Sequence, residues 1–202
     1  MHGDAISFMT SSLAILSQLP TNEDGLGSSV VLIDGGNRFN PYLIAKIAQS
    51  YDLDAKSVMK NIFVSRAFTA YQFSFLILEK LEHFLRRKRS KLLVISDITS
   101  LFLDEDIPTM EATLLFMKVC AKLSSITSRR ELIIMANYFP RKICERSLFF
   151  EAILFGRLNV LIKLQEKGQS LSFALEEHHC IDQSIMDFTT DNHVSFSSFV
   201  DG

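Results

Sequence analysis

The sequence predicts an α/β fold: a mostly parallel, twisted sheet with helices on both faces and a C-terminal antiparallel hairpin. Short apolar runs rich in Val, Ile and Leu end at turn residues, and longer stretches with helical periodicity separate them. Such alternation is typical of βαβ units, whose strands lie parallel. The hydrophobic content of 48% over 202 residues suffices for one substantial core.

Four continuous apolar runs predict the strands of this sheet. They contain many β-branched residues and show no polar alternation, as expected of strands buried on both faces. The runs are VVLID at 30–34, NIFVS at 61–65, KLLVIS at 91–96 and ELIIMAN at 131–137.

Helix signals fall between and around these strands. Thr10, Ser11 and Ser12 are N-cap candidates, Pro41 suits a first helical turn, and Asp54 can cap a short helix. We expect helices over 10–18, 41–50, 55–60, 70–88, 108–126 and near 143–153.

The C-terminal part departs from this alternation. RLNVLIKLQEKGQSLSFALEEH, which begins at Arg157, predicts a hairpin at the sheet edge, with its turn in EKGQ. The last residues are polar and rich in serine. We therefore divide the chain into a core over 1–179 and a polar tail over 180–202.

Composition excludes several classes of protein. A net charge of −2 gives no global attraction to nucleic acid or to an anionic membrane. Cys120, Cys144 and Cys180 form no CxxC pair, so we expect neither disulfides nor a zinc site. His178 and His179 are adjacent, which in a strand points them to opposite faces, so we expect no metal there. No run reaches the roughly 20 apolar residues of a membrane span, and we expect a cytoplasmic protein, with nucleoid association as an alternative.

Longer motifs identify a family resemblance. LIDGGNRFNP from Leu32, VMKNIFVSRAFTAYQF from Val58, KLLVISDITSLF from Lys91 and ELIIMANYF from Glu131 follow one another in the order and spacing of archaeal RadA and its eukaryotic relatives. The chain thus resembles the RecA/RadA recombinase superfamily over about residues 3–164. The resemblance implies a RecA-like fold of the P-loop NTPase type.

The resemblance also implies a phosphate-binding loop, GxxxxGK[ST], in which backbone N–H groups and a lysine hold the phosphates. The matching segment is GDAISFMT at 3–10. Gly3 and Thr10 agree with the pattern, but Phe8 stands at the second glycine and Met9 at the lysine. We expect the strand that precedes this loop in the family to be missing from the sheet or supplied from elsewhere.

Two carboxylates that the resemblance implies are also replaced. The position of the glutamate that polarises the attacking water, two residues after Asp34, is Gly36. The Walker B aspartate, which organises magnesium in the family, aligns with Ser96, and Asp97 follows one residue late. A shift of one residue turns a strand side chain to the other face, so Asp97 would need a bulge to replace it.

These departures predict a non-catalytic paralogue without a cofactor. Phosphoryl transfer depends on positioning and on electrostatic stabilisation by lysine and magnesium, and the residues for both are altered. We expect an accessory of homologous recombination and DNA repair that binds a RadA-type recombinase or itself. Two alternatives stay open: a stand-alone single-stranded DNA-binding module, and residual nucleotide use through Thr10 and Asp97.

Candidate contact residues lie outside the altered nucleotide site. Two basic groups are candidates for DNA contact, and the simpler interpretation of the first is a solvated helix end. They comprise Arg86, Arg87, Lys88, Arg89 and Lys91, then Arg141, Lys142 and Arg146. Tyr138 and Phe139 are candidates for base stacking. Phe68 and Tyr71, in the RAFTAYQF segment, are candidates for a protein interface.

Overall fold

The four predicted strands lie side by side in one parallel sheet. The computed structural model describes residues 2–129, 131–139, 144–167, 170–178 and 184–189. The sheet has the order β2-β1-β3-β4, and all three strand pairs are parallel. Its strands are β1 (Val30–Asp34), β2 (Ile62–Arg66), β3 (Leu92–Ser96) and β4 (Ile133–Ala136).

Burial follows this strand order. Every residue of β1 and β3, the central strands, is buried, as the continuous β-branched runs predict. The two edge strands are more open, and Ile133 at the start of β4 is 54% exposed. Among the described residues no strand pairs with the outer edge of β4.

Three helices cover one face of the sheet: α1 (His2–Leu16), α2 (Pro41–Ser50) and α3 (Ala55–Lys60). As predicted, Pro41 opens α2. The Asn40 side chain caps that helix, and the Asp54 side chain caps α3. The predicted helix over 10–18 forms, but it begins eight residues earlier and ends at Leu16, so the predicted caps at Thr10, Ser11 and Ser12 are wrong. Ala5 is buried and Phe8 packs against the same core as Ala14 and Ile15, and this burial extends the helix upstream of Thr10.

The opposite face carries α4 (Ala70–Phe75), α5 (Leu81–Lys88), α6 (Thr109–Ser128) and α7 (Glu145–Phe155). A π-helical turn, Leu76–Lys80, joins α4 to α5, so the predicted helix over 70–88 is continuous but not uniform. The buried residues Phe73, Ile77, Leu81 and Leu85 recur every four positions, which is longer than the α-helical period. The wider π turn keeps these side chains directed at the sheet.

Four phenylalanines form the centre of this second layer. Phe73, Phe102, Phe116 and Phe150 are almost fully buried and come from four different segments of the chain. Ring centroids of Phe102 and Phe116 are 5.1 Å apart, and those of Phe116 and Phe150 are 4.6 Å apart. This aromatic cluster joins α6 and α7 to the helical turn at Ser100–Leu103.

The predicted hairpin forms, but not at the edge of the parallel sheet. β5 (Val160–Lys167) and β6 (Ser170–His178) pair in a separate antiparallel sheet with a third strand, β7 (Ser184–Thr189). β7 lies within the segment interpreted as a polar tail, so at least that part of 180–202 is paired strand.

We expect Phe116→Ala to lower the free energy of unfolding by about 3–5 kcal/mol, because it leaves a cavity beside the rings of Phe102 and Phe150. Urea denaturation followed by circular dichroism measures the loss. Phe149→Ala on α7, where the side chain is 48% exposed, is the control and should cost less than about 1 kcal/mol. Equal losses for the two variants would contradict the aromatic cluster as the centre of the core.

Candidate functional site

The candidate site lies where the parallel strands end. Asp34, Arg66 and Ser96 close three adjacent strands, and the register places Asp34 opposite both Arg66 and Ser96. Open α/β sheets bind their ligands at this carboxyl edge. The structure thus brings the predicted residues Asp34, Gly36, Ser96 and Asp97 to one place and adds Arg66.

Asp34 acts as a structural anchor in this site. Its side chain is fully buried, and its two oxygens accept hydrogen bonds from the N–H groups of Arg38 and Phe39, each at 3.0 Å. The Nε atom of Arg66 lies 3.4 Å from Oδ2 of Asp34, and the same guanidinium donates to the carbonyl of Phe39 at 3.3 Å. Asp34 therefore fixes the turn between β1 and α2.

The two glycines after Asp34 allow that turn to pack against the turn after β3. The N–H of Gly35 donates to the carbonyl of Ser96 at 2.9 Å. A Cβ atom at Gly35 would lie 3.1 Å from the carbonyl oxygens of Ser96 and Asp97. One at Gly36 would lie 2.8 Å from the Cβ of Asp97, closer than Cβ atoms approach other atoms. Any side chain at position 36 requires one of the two turns to move.

Asp97 enters this contact through a left-handed backbone rather than a bulge. The β1–β3 register runs without interruption to Ser96. Asp97 follows with φ of 53°, a region that costs energy for a residue with a Cβ. Its N–H donates to Oδ1 of Asn137 at 2.6 Å, and its side chain is buried beneath Gly36. Ser96 is also buried, so neither residue opens to solvent.

A polar pair that the sequence did not reveal lies beside Asp97. The Tyr138 hydroxyl donates a hydrogen bond to the Glu151 carboxylate, which α7 brings to the end of β4. Burial, this hydrogen bond and the charges of Glu151 and Asp97 all raise the pKa of Tyr138 above its usual value. Tyr138 also packs edge-on against Phe155, with ring centroids 6.4 Å apart. The hydroxyl and one ring edge of Tyr138 are thus already engaged, so its predicted role as a free stacking platform gains no support.

Phe139, the second predicted stacking residue, is covered by an arginine. The guanidinium carbon of Arg38 lies 4.1 Å from its ring centroid, within the range of a cation–π interaction. Arg38 belongs to the turn that Asp34 fixes. The polypeptide after β4 is therefore linked to the turn after β1.

The segment expected at the phosphate loop is helical. Gly3, Phe8, Met9 and Thr10 all lie within α1, whose N–H groups beyond the first turn are used in helical hydrogen bonds. Phe8 packs against the core shared with α2. Thr10 is buried, and its hydroxyl has no hydrogen-bond partner in the part of the chain that the structure describes. These residues offer a magnesium-nucleotide no lysine and no loop of free N–H groups, so they do not fit that ligand.

The predicted basic groups are partly used within the protein. Arg86 pairs with Glu82 at 3.0 Å. The Nζ atom of Lys88 lies 3.9 Å from the ring centroid of Phe63, and Arg87 lies over Phe84. Arg89 and Lys91 are exposed at the end of α5. The geometry agrees with the simpler interpretation of a helix end that carries cations.

Arg146, in the second basic group, is also used within the protein. Arg146 donates to the carbonyls of Asp104 and Ile107, each at 3.2 Å, and thereby holds the loop before α6. Arg141 and Lys142 lie outside the described residues. By contrast, the predicted interface residues Phe68 and Tyr71 are 65% and 50% exposed, as a contact surface requires.

Comparison with known families assigns the fold. A family model described as Rad51 matches residues 5–128, well over half of the chain. The chain belongs to the Rad51 family. The matched segment contains α1 from Ala5 onward, α2 to α6 and the first three strands, and so includes the turns of Asp34, Gly36 and Asp97.

No helix among the described residues is long and apolar enough to cross a membrane. Within the same residues, no cluster of three or more His, Cys, Asp or Glu side chains has the arrangement of a metal site.

We expect Gly36→Ala to lower the free energy of unfolding by about 1–3 kcal/mol, because the added methyl overlaps the Asp97 side chain. The same substitution made in an Asp97→Gly background should cost less than half as much, since the obstructing Cβ is gone. Chemical denaturation of the four proteins of this cycle measures the coupling. Gly156→Ala at the end of α7 is the control, and additive costs would refute the contact.

Cys120 in α6 and Cys144 at the start of α7 allow a chemical test of the structure around these two helices. Burial raises the pKa of Cys120 to about 11. Hydrogen bonds from the backbone and side chain of Ser147 lower the pKa of Cys144, which caps α7. Because the thiolate is the nucleophile, Cys144 should be alkylated at least about tenfold faster than Cys120 near neutral pH. Its rate should also rise at a lower pH than that of an ordinary thiol. Peptide mapping by mass spectrometry resolves the two sites, and similar rates would contradict the structure.

Proposed function

We propose that this Rad51-family chain is a non-catalytic paralogue that binds a RadA-type recombinase and tunes its assembly in homologous recombination and DNA repair. The main observation behind the proposal is that Gly36 packs against Asp97 with no room for a side chain. Position 36 is where the resemblance to the family implies a catalytic carboxylate. The protein would act through its surfaces and would bind no nucleotide.

Changes in three parts of the phosphoryl-transfer machinery support the proposal that the chain does not hydrolyse ATP. A helix with Met9 replaces the lysine-bearing loop, Gly36 has no carboxylate, and Asp97 is buried under the turn that follows β1. Phosphoryl transfer gains most of its rate from positioning and charge stabilisation by these groups. The Asp34 carboxylate is no substitute, because both of its oxygens accept backbone N–H groups.

The proposed role in protein contacts is supported by the exposed parts of the same scaffold. The edge of β4 is open within the described residues, and Phe68 and Tyr71 present aromatic rings to solvent. Exposed aromatic side chains and unpaired strand edges are features by which proteins bind partners. That a Rad51-family scaffold serves recombination is an argument from family membership.

We expect no heat on titration with Mg-ATP and no phosphate release, whereas the active recombinase from the same cell gives both. Met9→Lys should not restore turnover, because position 36 still has no carboxylate. Colorimetric phosphate assays and calorimetry make these measurements. Steady phosphate release from the purified wild-type chain would end the proposal of a non-catalytic paralogue.

We expect the full chain to retain the recombinase in an affinity pull-down, and to do so after nuclease treatment. The nuclease arm separates a direct protein contact from bridging by DNA, which is the outcome expected of a stand-alone DNA-binding module. Single-stranded DNA binding that weakens steeply with salt, without recombinase binding, would favour that module instead. Phe68→Ala should weaken retention while leaving the unfolding transition unchanged, because the ring is 65% exposed.

A further inference from the structure

An apolar stripe runs along the outer side of α6, opposite its buried face. Phe116, Val119 and Leu123 bury into the aromatic core, whereas Met110 is 78%, Leu114 54% and Met117 40% exposed. Ala121, also exposed, continues the stripe. The spacings of four, three and four residues are those by which two helices pack along a coiled-coil seam. A surface helix normally places polar residues on this side.

Two charged residues border the stripe on one side. Glu111 follows Met110 and Lys118 follows Met117, so each occupies the position next to a seam residue and both lie on the same flank of α6. Both side chains are exposed, and neither forms an ion pair within the part of the chain that the structure describes. Glu111 accepts a hydrogen bond from Tyr71, which places the aromatic residues of α4 beside this flank.

From this geometry we propose that the stripe of α6 is a self-association surface, on which α6 of a second copy of this chain packs in antiparallel orientation. A two-fold axis between Leu114 and Met117 sets Leu114 of one copy against Met117 of the other, and Met110 against Ala121. The same rotation sets Glu111 of each copy against Lys118 of the other, so two attractive pairs form by symmetry. The inference does not rest on the proposed function, since it holds whether or not the chain binds nucleotide or a recombinase.

The charges select the antiparallel orientation and a second copy as the occupant. If the two helices ran parallel and in register, the flank with Glu111 and Lys118 would face the opposite flank of the partner helix, where Thr113 lies, so the two Glu111–Lys118 pairs would not form. Flanking charges of this kind set partner choice and orientation in coiled coils. α6 spans 20 residues, about 30 Å, and Tyr71 and Phe75, 50% and 52% exposed, extend the apolar surface beside it.

The test is sedimentation equilibrium of the full chain and of charge-reversal variants. The wild-type chain should dimerise in the micromolar range. Glu111→Lys and Lys118→Glu should each weaken the dimer about tenfold or more, because both symmetric pairs become repulsive. The double reversal should restore it. An equimolar mixture of the two single variants should form a heterodimer, because all its facing charges are opposite. Lys46→Glu, an exposed cation on α2, is the matched control and should have no effect.

Three outcomes would overturn the proposal. A wild-type chain that stays monomeric into the high-micromolar range has no such surface. If neither charge reversal nor Leu114→Gln changes the dissociation constant of the dimer, the chain dimerises through a different surface. Failure of the mixed single variants to associate, while the double reversal dimerises, would exclude the Glu111–Lys118 pairing. Circular dichroism melts, which we expect to be nearly unchanged in these exposed positions, separate lost association from lost folding.

Discussion

The packing of the turn after β1 against the turn after β3 constrains the rest of this site. Gly35 bonds to Ser96, and Gly36 has no space for a Cβ above Asp97. Two turns this close leave no room for a side chain between the ends of the two central strands. The left-handed backbone of Asp97 costs energy that the surrounding bonds must offset, among them the one from its N–H to Asn137.

Asp34 stabilises the turn after β1 from a fully buried position. A carboxylate removed from water is stable only when its oxygens are hydrogen-bonded or paired, and Asp34 has both kinds of partner. Its contacts with Arg38 and Phe39 hold the turn in which Gly36 lies. Through Arg38, which covers the ring of Phe139, the constraint reaches the polypeptide after β4. The four strand ends therefore form one connected polar network rather than an open pocket.

The sequence predicts the parallel core well because its determinants are local. Runs such as VVLID are almost entirely apolar, so they favour buried strands, and Pro41 and Asp54 mark helix starts by their own geometry. It misses the start of α1, where burial of Ala5 and Phe8 extends the helix, and it misses β7 and the separation of the second sheet from the first. The Tyr138–Glu151 pair joins residues from separate elements, and only the packing of α7 brings them together.

The proposal that the chain binds no nucleotide has a consequence for assembly. In a protein whose contacts depend on bound nucleotide, hydrolysis can release the partner, whereas surfaces such as the α6 stripe change only with concentration, salt and temperature. Apolar contact weakens on cooling, and exposed charge pairs weaken as salt screens them. Association through Met110, Leu114, Glu111 and Lys118 would then be an equilibrium whose position depends on the concentration of the chain in the cell. Control would lie in abundance, and the rigid contact between Gly36 and Asp97 would serve to keep the scaffold in one state.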